Sequence, residues 1–324
     1  MNYKKSEQLL DRALKSIPLG SQTFSKSLTQ YPRGVSPFFI EKGKGAKVWD
    51  VDGNKYIDFV NSLAAVTLGY CDKNVDEAVQ KQMQNGVTFS LPHCLEMEVA
   101  EKLIDIIPCA EKVRFAKNGT DATSASIRIA RAYTGKDHIA VCGYHGWQDW
   151  YIGSTTRDLG VPKAVKELTH KFEYNNIESL EKIFQERELA CVIMEPMNVE
   201  YPQDNFLEKI KTLAHKNDAL LIFDETITGF RYSLGGAQAL FNVIPDLATF
   251  GKGMANGYPL SAVVGSNEIM QKVEDIFFSG TFGGETLSLA AANAVIDKYK
   301  KDNVPKYLND LGNYLLKKLN QLII

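Results

Sequence analysis

Residues 190–225 read ACVIMEPMNVEYPQDNFLEKIKTLAHKNDALLIFDE. The runs ACVIM from Ala190 and ALLIFD from Ala219 are apolar, and each meets an acid at its C-terminal end: Glu195 after the first, Asp224 closing the second. Between them, NFLEKIKTLAHK from Asn205 has apolar residues at helical spacing. A strand with no polar face is covered on both sides, and a helix between two such strands is the usual crossover of a parallel pair. This stretch therefore predicts an α/β fold with a mainly parallel sheet.

The same rhythm extends outward in both directions. VRFA at Val113, HIAVC at His138, DLATF at Asp246 and SAVVG at Ser261 read as further buried strands. DATSASIRIARAY from Asp121 and NIESLEKIFQER from Asn176 read as helices. The segment EKGKGAKVWDVDGNKYIDF differs, because alternation around Asp52-Gly53-Asn54 predicts a hairpin with a tight turn. The chain divides accordingly into an N-terminal segment with a small-domain hairpin (1–60), a large α/β domain (61–298) and the start of a C-terminal small domain (299–324). In that last part, VPKYLNDLGNYLLKKLNQLII is an amphipathic helix with Leu308, Leu311, Leu315, Leu319 and Leu322 near one face. Such a stripe needs a partner surface, so the helix is expected to dock on the main domain or to continue into further chain.

Composition narrows the function classes. The chain has 324 residues, 44% hydrophobic and 23% charged, with a formal net charge of -2. Nothing in that balance favours nucleic acid or an anionic membrane as partner. The N-terminus lacks the apolar core of a secretory signal and no run approaches a membrane-spanning length, so the expected location is the cytoplasm. The five cysteines are scattered without CxxC, and the five histidines lack HxxxH spacing. Neither a disulfide framework nor a metal site is expected.

In sheets of this kind ligands sit at the C-terminal ends of strands, and several polar groups fall there. Lys252 stands between Gly251 and Gly253 after the strand-like DLATF. A lysine nucleophile needs such a confined place, since burial lowers its pKa; a solvated surface lysine is the alternative. Asp224 and Glu225 close a buried strand, either as cap or salt-bridge residues or, for Asp224, as the partner of a cationic ring nitrogen. Asn118-Gly119-Thr120-Asp121 opens a helix, and its free N–H groups make a phosphate site, whether or not Thr120 also caps the helix. Ser279–Gly284 is a second small-residue turn before a helix and a second candidate phosphate contact. Tyr144, in Tyr144-His145-Gly146-Trp147, is a stacking candidate or a rim aromatic. The GxG patterns at Gly251 and Gly43 are not dinucleotide fingerprints: Pro259 follows the first where a helix would run, and a hairpin follows the second. The polar segment TTRDLGVPKAVKEL from Thr155 reads as a mobile loop over the site.

Taken in order, NGTDATSASIRIARAYTG, GYHGW, IMEP, LLIFDETITGFR, PDLATFGKGMANGYPLSA and SGTFGGETLSLAAA resemble the class III pyridoxal-phosphate-dependent aminotransferases of fold type I, with glutamate-1-semialdehyde aminomutase and its relatives nearest. The likeness runs from about Ala46 to the tail. It implies the cofactor pyridoxal 5'-phosphate, with Lys252 as the Schiff-base lysine and Asp224 on the pyridine nitrogen. It also implies a phosphate turn at Gly119 and Thr120 with Asn118 beside it, Tyr144 stacked on the ring, and Glu195 near the cofactor's hydroxyl side. Thr226 stands where the family has an apolar residue behind the ring. Thr281 resembles the threonine that reaches the partner's phosphate, which implies a homodimer with shared active sites.

Two departures bear on substrate. Lys26 falls where the aminomutase has an arginine, and lysine cannot form a two-pronged carboxylate clamp. Much of the family's C-terminal small-domain segment also has no counterpart. The resemblance implies small-molecule partners, an amino donor and a carbonyl acceptor. With Ser21 and Lys26 as candidate substrate contacts, a keto-sugar or related acceptor is expected. An intramolecular aminomutase and an inactive cofactor-binding scaffold are the alternatives.

Overall fold

The computed structural model describes residues 1–197 and 199–323. Seven strands form the main sheet, preceded by three that form a small one. The small sheet holds β1 (Ile40–Lys44), β2 (Lys47–Asp50) and β3 (Lys55–Ile57), all antiparallel. The predicted turn joins β2 to β3, with Asp50 accepting the backbone N–H groups of Asp52 (3.0 Å) and Asn54 (2.8 Å). The N-terminal helix Lys4–Ala13 docks on this hairpin, because Asp52 accepts the N–H groups of Lys5 and Ser6, each at 2.8 Å.

The main sheet contains β4 (Lys112–Ala116), β5 (His138–Cys142), β6 (Thr169–Lys171), β7 (Leu189–Met194), β8 (Leu220–Asp224), β9 (Leu247–Phe250) and β10 (Ser261–Gly265). Their order is β4-β10-β9-β8-β7-β5-β6, and β10 alone runs against the rest. The reversal has a simple cause. The connection from β9 to β10 carries only residues 251–260, too short for the helical crossover that a parallel neighbour requires.

The apolar runs have buried residues on both faces, as expected. Val192, Met194, Leu221 and Phe223 pack into a core with the helices Cys94–Ile106, Phe206–Lys216 and Thr286–Asp302. Cys191, Ile193 and Ile222 face the opposite way, against the helix Gly119–Thr134. The edge strand β6 and the helices Lys73–Met83 and Cys94–Ile106 were not anticipated from the sequence. The segment from Thr155 contains the helical turn Lys163–Lys166, and Lys166 pairs with Asp158 at 2.6 Å.

The helix Thr286–Asp302 ends at Asn303 in a left-handed conformation, and a second helix, Val304–Ile323, follows. Of the predicted stripe, Leu308 packs against the main core. Leu311, Leu315, Leu319 and Leu322 are exposed.

Candidate active site

The parallel strands carry their C-terminal ends to one edge of the sheet, and the antiparallel β10 brings its first residue to the same edge. Ser261 makes the point directly, pairing with Ala116 at the end of β4 and donating its hydroxyl to the Asn118 carbonyl at 2.7 Å. A cavity of about 350 Å³ opens there. Asn118, Gly119, Thr120, Tyr144, Glu195, Asp224, Thr226 and Lys252 all line it, although they come from five separate segments.

Lys252 begins a short helical turn, Lys252–Ala255, in a left-handed conformation with φ 41°. Burial pulls its amine below the ordinary lysine value, and Arg231 adds to this, while Asp224 and Glu195 act in the opposite direction. Burial is the larger influence, so the neutral, nucleophilic form is more accessible than for an exposed lysine.

Asp224 and Glu225 diverge. Glu225 turns away from the cavity and accepts the backbone N–H groups of Ala237 (2.7 Å) and Gln238 (2.9 Å) at the start of the helix Gly236–Phe241. Asp224 faces the cavity. Burial opposes its ionisation, but His145 and the Thr226 amide outweigh that and hold its carboxyl below the usual range. Its Oδ2 lies 2.8 Å from His145 Nδ1, and its Oδ1 accepts from the Thr249 hydroxyl and the Thr226 N–H, both at 3.1 Å.

His145 is the residue that sequence reasoning missed. It is 1% exposed, and its Nε2 sits 3.1 Å from the Cys142 carbonyl. Contacts at both ring nitrogens fix the orientation of the ring, with Nδ1 toward Asp224. The signal was present, since His145 lies inside a polar motif at a strand end, two strands from Asp224 in the sheet. Its partner is 79 residues away in sequence, which no local pattern reveals.

The turn at residue 118 opens the helix Gly119–Thr134 with Asn118 as its N-cap residue, not Thr120. Asp121 accepts the Asn118 N–H at 2.7 Å, and the first intrahelical bond runs from the Asp121 N–H to the Asn118 carbonyl at 2.9 Å. The Gly119 and Thr120 amides precede that bond and point their donors beyond the helix end. Thr120 Oγ1 accepts the Trp147 N–H at 3.3 Å, which ties this turn to the aromatic one. The approach requires Gly146, whose φ is 104° and where an added Cβ would lie 2.3 Å from Thr120 Oγ1.

Tyr144 stands at the rim, 59% exposed and edge-on to Tyr151. Its N–H donates to Glu195 at 3.0 Å. Burial raises the Glu195 carboxyl above its usual value, and that N–H partly offsets the rise. Lys117, also not anticipated, lines the cavity and pairs with Glu285 at 3.0 Å.

Three of the candidate residues are not among those lining this cavity. Thr281 lines a neighbouring hollow. The helix after it starts only at Thr286, and its first amides are already taken by Glu285, which accepts from Leu287 (2.6 Å) and Ser288 (3.2 Å). The first amides of that helix are therefore taken by the chain's own carboxylate. Ser21 and Lys26 are not among the residues lining the cavity.

The cavity suits a phosphorylated pyridine aldehyde. It offers an amine, a buried carboxylate held ionised, and a donor-rich turn. Thr226 Oγ1 is buried on the cavity wall beside Asp224, a polar group available to an occupant of the cavity.

The aminotransferase class-III family model matches residues 30–323. A 3-aminobutyryl-CoA aminotransferase of Cloacimonas acidaminovorans is 40% identical over 94% of this chain and 75% of its own length. A glutamate-1-semialdehyde 2,1-aminomutase of Francisella philomiragia is 39% identical over 99% of this chain and 78% of its own. In structure, the FumI protein of Sphingopyxis sp. MTA144, solved in its PLP internal aldimine form, aligns with TM-score 0.87 and 29% identity over 92% of this chain and 73% of that one. The chain belongs to the class-III aminotransferase family. It is a PLP-dependent enzyme, and its cofactor is pyridoxal 5'-phosphate.

Proposed function

We propose that the protein transfers an amino group from an amino donor to a carbonyl acceptor at this cavity, with Lys252 as the catalytic residue. The observation that carries the reading is the convergence of Lys252, Asp224 and the open turn at Gly119 on one hollow. Pyridoxal phosphate, when bound, supplies an aldehyde carbon that condenses with amines and a protonated ring that withdraws electrons. Lys252 Nζ would hold the cofactor and would serve as the base that moves a proton at the donor carbon. Asp224 holds the proton on the ring nitrogen, and His145 keeps that carboxylate ionised and oriented. The Gly119 and Thr120 amides, with Asn118 beside them, bind the phosphate. Tyr144, Thr226 and Glu195, which line the same cavity, would flank the ring.

Thr281 belongs in this reading to a homodimer with shared sites, where it reaches the partner's phosphate. An acceptor with several hydroxyl groups, expected from Ser21 and Lys26, draws no support from the cavity lining. A second reading, intramolecular amino exchange, is favoured by the likeness to the aminomutase over 99% of the chain.

One titration separates the readings. An amino donor alone is expected to bleach the cofactor absorbance and release a carbonyl product. Isomerised product with no donor consumed would instead support the mutase. Lys252→Ala is expected to abolish borohydride-trapped cofactor, read by peptide mass, and to lower turnover by roughly 10⁴-fold or more. Trapped cofactor in that variant would sink both readings.

A further inference from the structure

Against the turn that Lys252 begins lies a buried phenol that the reaction as described does not use. Tyr299 sits in the helix Thr286–Asp302 and is 1% exposed. Its hydroxyl donates to the carbonyl of Gly253, the residue after Lys252, at 2.8 Å. Its ring stacks on Phe230 with centroids 5.9 Å apart, and Phe230 in turn packs on Phe250 at the end of β9. The phenol is thus held by the same strand that delivers Lys252.

The turn it grips is under constraint. Lys252 has φ 41°, in the left-handed region that a lysine side chain disfavours. A residue persists there only when its surroundings over-determine it. Two groups crowd the next position: a Cβ added at Gly253 would lie 2.7 Å from Thr67 Oγ1 and 3.4 Å from the Tyr299 hydroxyl. The Met254 N–H bonds back to the Gly251 carbonyl at 2.9 Å, closing the turn. Of the peptide groups in this turn, the Gly253 carbonyl is the one pinned by a side chain from another element.

We propose that Tyr299 is a positioning residue for Lys252: its hydroxyl, anchored on the Gly253 carbonyl, holds the turn left-handed and so aims the Lys252 amine into the cavity. The inference rests on the reading of Lys252 given above. It adds that the aim depends on a hydroxyl in the helix Thr286–Asp302 and not on the turn's own sequence. Without the hydroxyl the turn relaxes, and the amine moves among the groups that act on it, Asp224, Glu195 and Arg231.

The test is Tyr299→Phe in the full chain, which keeps the ring in its stack and deletes one hydrogen bond. The first readout is competitive labelling of Lys252 by a small acylating reagent across pH, in cofactor-free protein, read by peptide mass spectrometry. The midpoint is expected to rise toward the ordinary lysine range. In the loaded enzyme, kcat is expected to fall about tenfold with the donor KM nearly unchanged, as for a loss of orientation. Phe230→Leu, which loosens the stack and leaves the hydroxyl bond, is expected to lower the melting temperature without moving the midpoint. A Y299F midpoint and kcat equal to wild type would overturn the inference, as would an equal midpoint shift in F230L. Failure of the underlying reading looks different: Lys252→Ala would still trap cofactor, whatever Y299F does.

Discussion

Two turns in this chain look alike in sequence and differ in the fold. Asn118-Gly119-Thr120 and Ser279–Gly284 are both short, small-residue segments that lead into helices. At the first, Asp121 turns back and satisfies the Asn118 N–H, so the Gly119 and Thr120 amides stay open toward the cavity. At the second, the helix starts later, and Glu285 occupies the amides of Leu287 and Ser288. A helix N-terminus attracts anions through its unsatisfied donors and dipole. Where the chain's own carboxylate already fills that place, the attraction is spent. Lys117 stands between the two, lining the cavity of the first and paired with the cap of the second.

Substitutions at each turn test this contrast. The largest effect is expected from Thr120→Asp, which sets a negative charge where phosphate would lie. Cofactor affinity, measured by titrating apo-protein and following absorbance, is expected to fall about a hundredfold or more through like-charge repulsion at low dielectric. Near-normal affinity would mean that this turn does not hold the phosphate. Glu285→Ala is expected to act on stability, lowering it by about 1–2 kcal/mol in denaturant unfolding, as for loss of an N-cap. A loss of cofactor affinity with unchanged stability would erase the distinction between the turns.

The smallest effect is one of pH. Burial opposes ionisation of Glu285, but its bonds to Ser288 and Lys117 outweigh that and hold its carboxyl below the ordinary value of 4.5. A carboxyl lowered on folding contributes stability fully above its unfolded pKa and loses it as pH falls through the folded value. The unfolding midpoints of wild type and E285A are therefore expected to differ near neutral pH and to converge in acid. A gap that persists in acid would mean that the cap does not act through its charge.

Much of the site was legible because its residues close strands or open helices. Lys252, Asp224, Glu195, Tyr144 and the turn at Asn118 all stand where an apolar run stops, and the fold brings those stops to one edge. What could not be read were the partners. Nothing local links His145 to Asp224 or Tyr299 to Gly253, and both bonds depend on how distant segments pack. The edge strand β6 escaped because THK has no apolar run, and its hydrogen bonds come entirely from β5. The stripe on the last helix was correct as a pattern, yet beyond Leu308 its leucines remain exposed.

By itself, the sequence determined the alternation of strands and helices, the polar residues at strand ends, and the order of motifs that marks the family. These follow from side-chain periodicity and backbone preference, which act over a few residues. Only the tertiary structure decided which of two adjacent acids faces the cavity and how Lys252 is held. Those outcomes depend on hydrogen bonds between residues far apart in the chain, and a buried polar group takes whatever partner the packing brings to it.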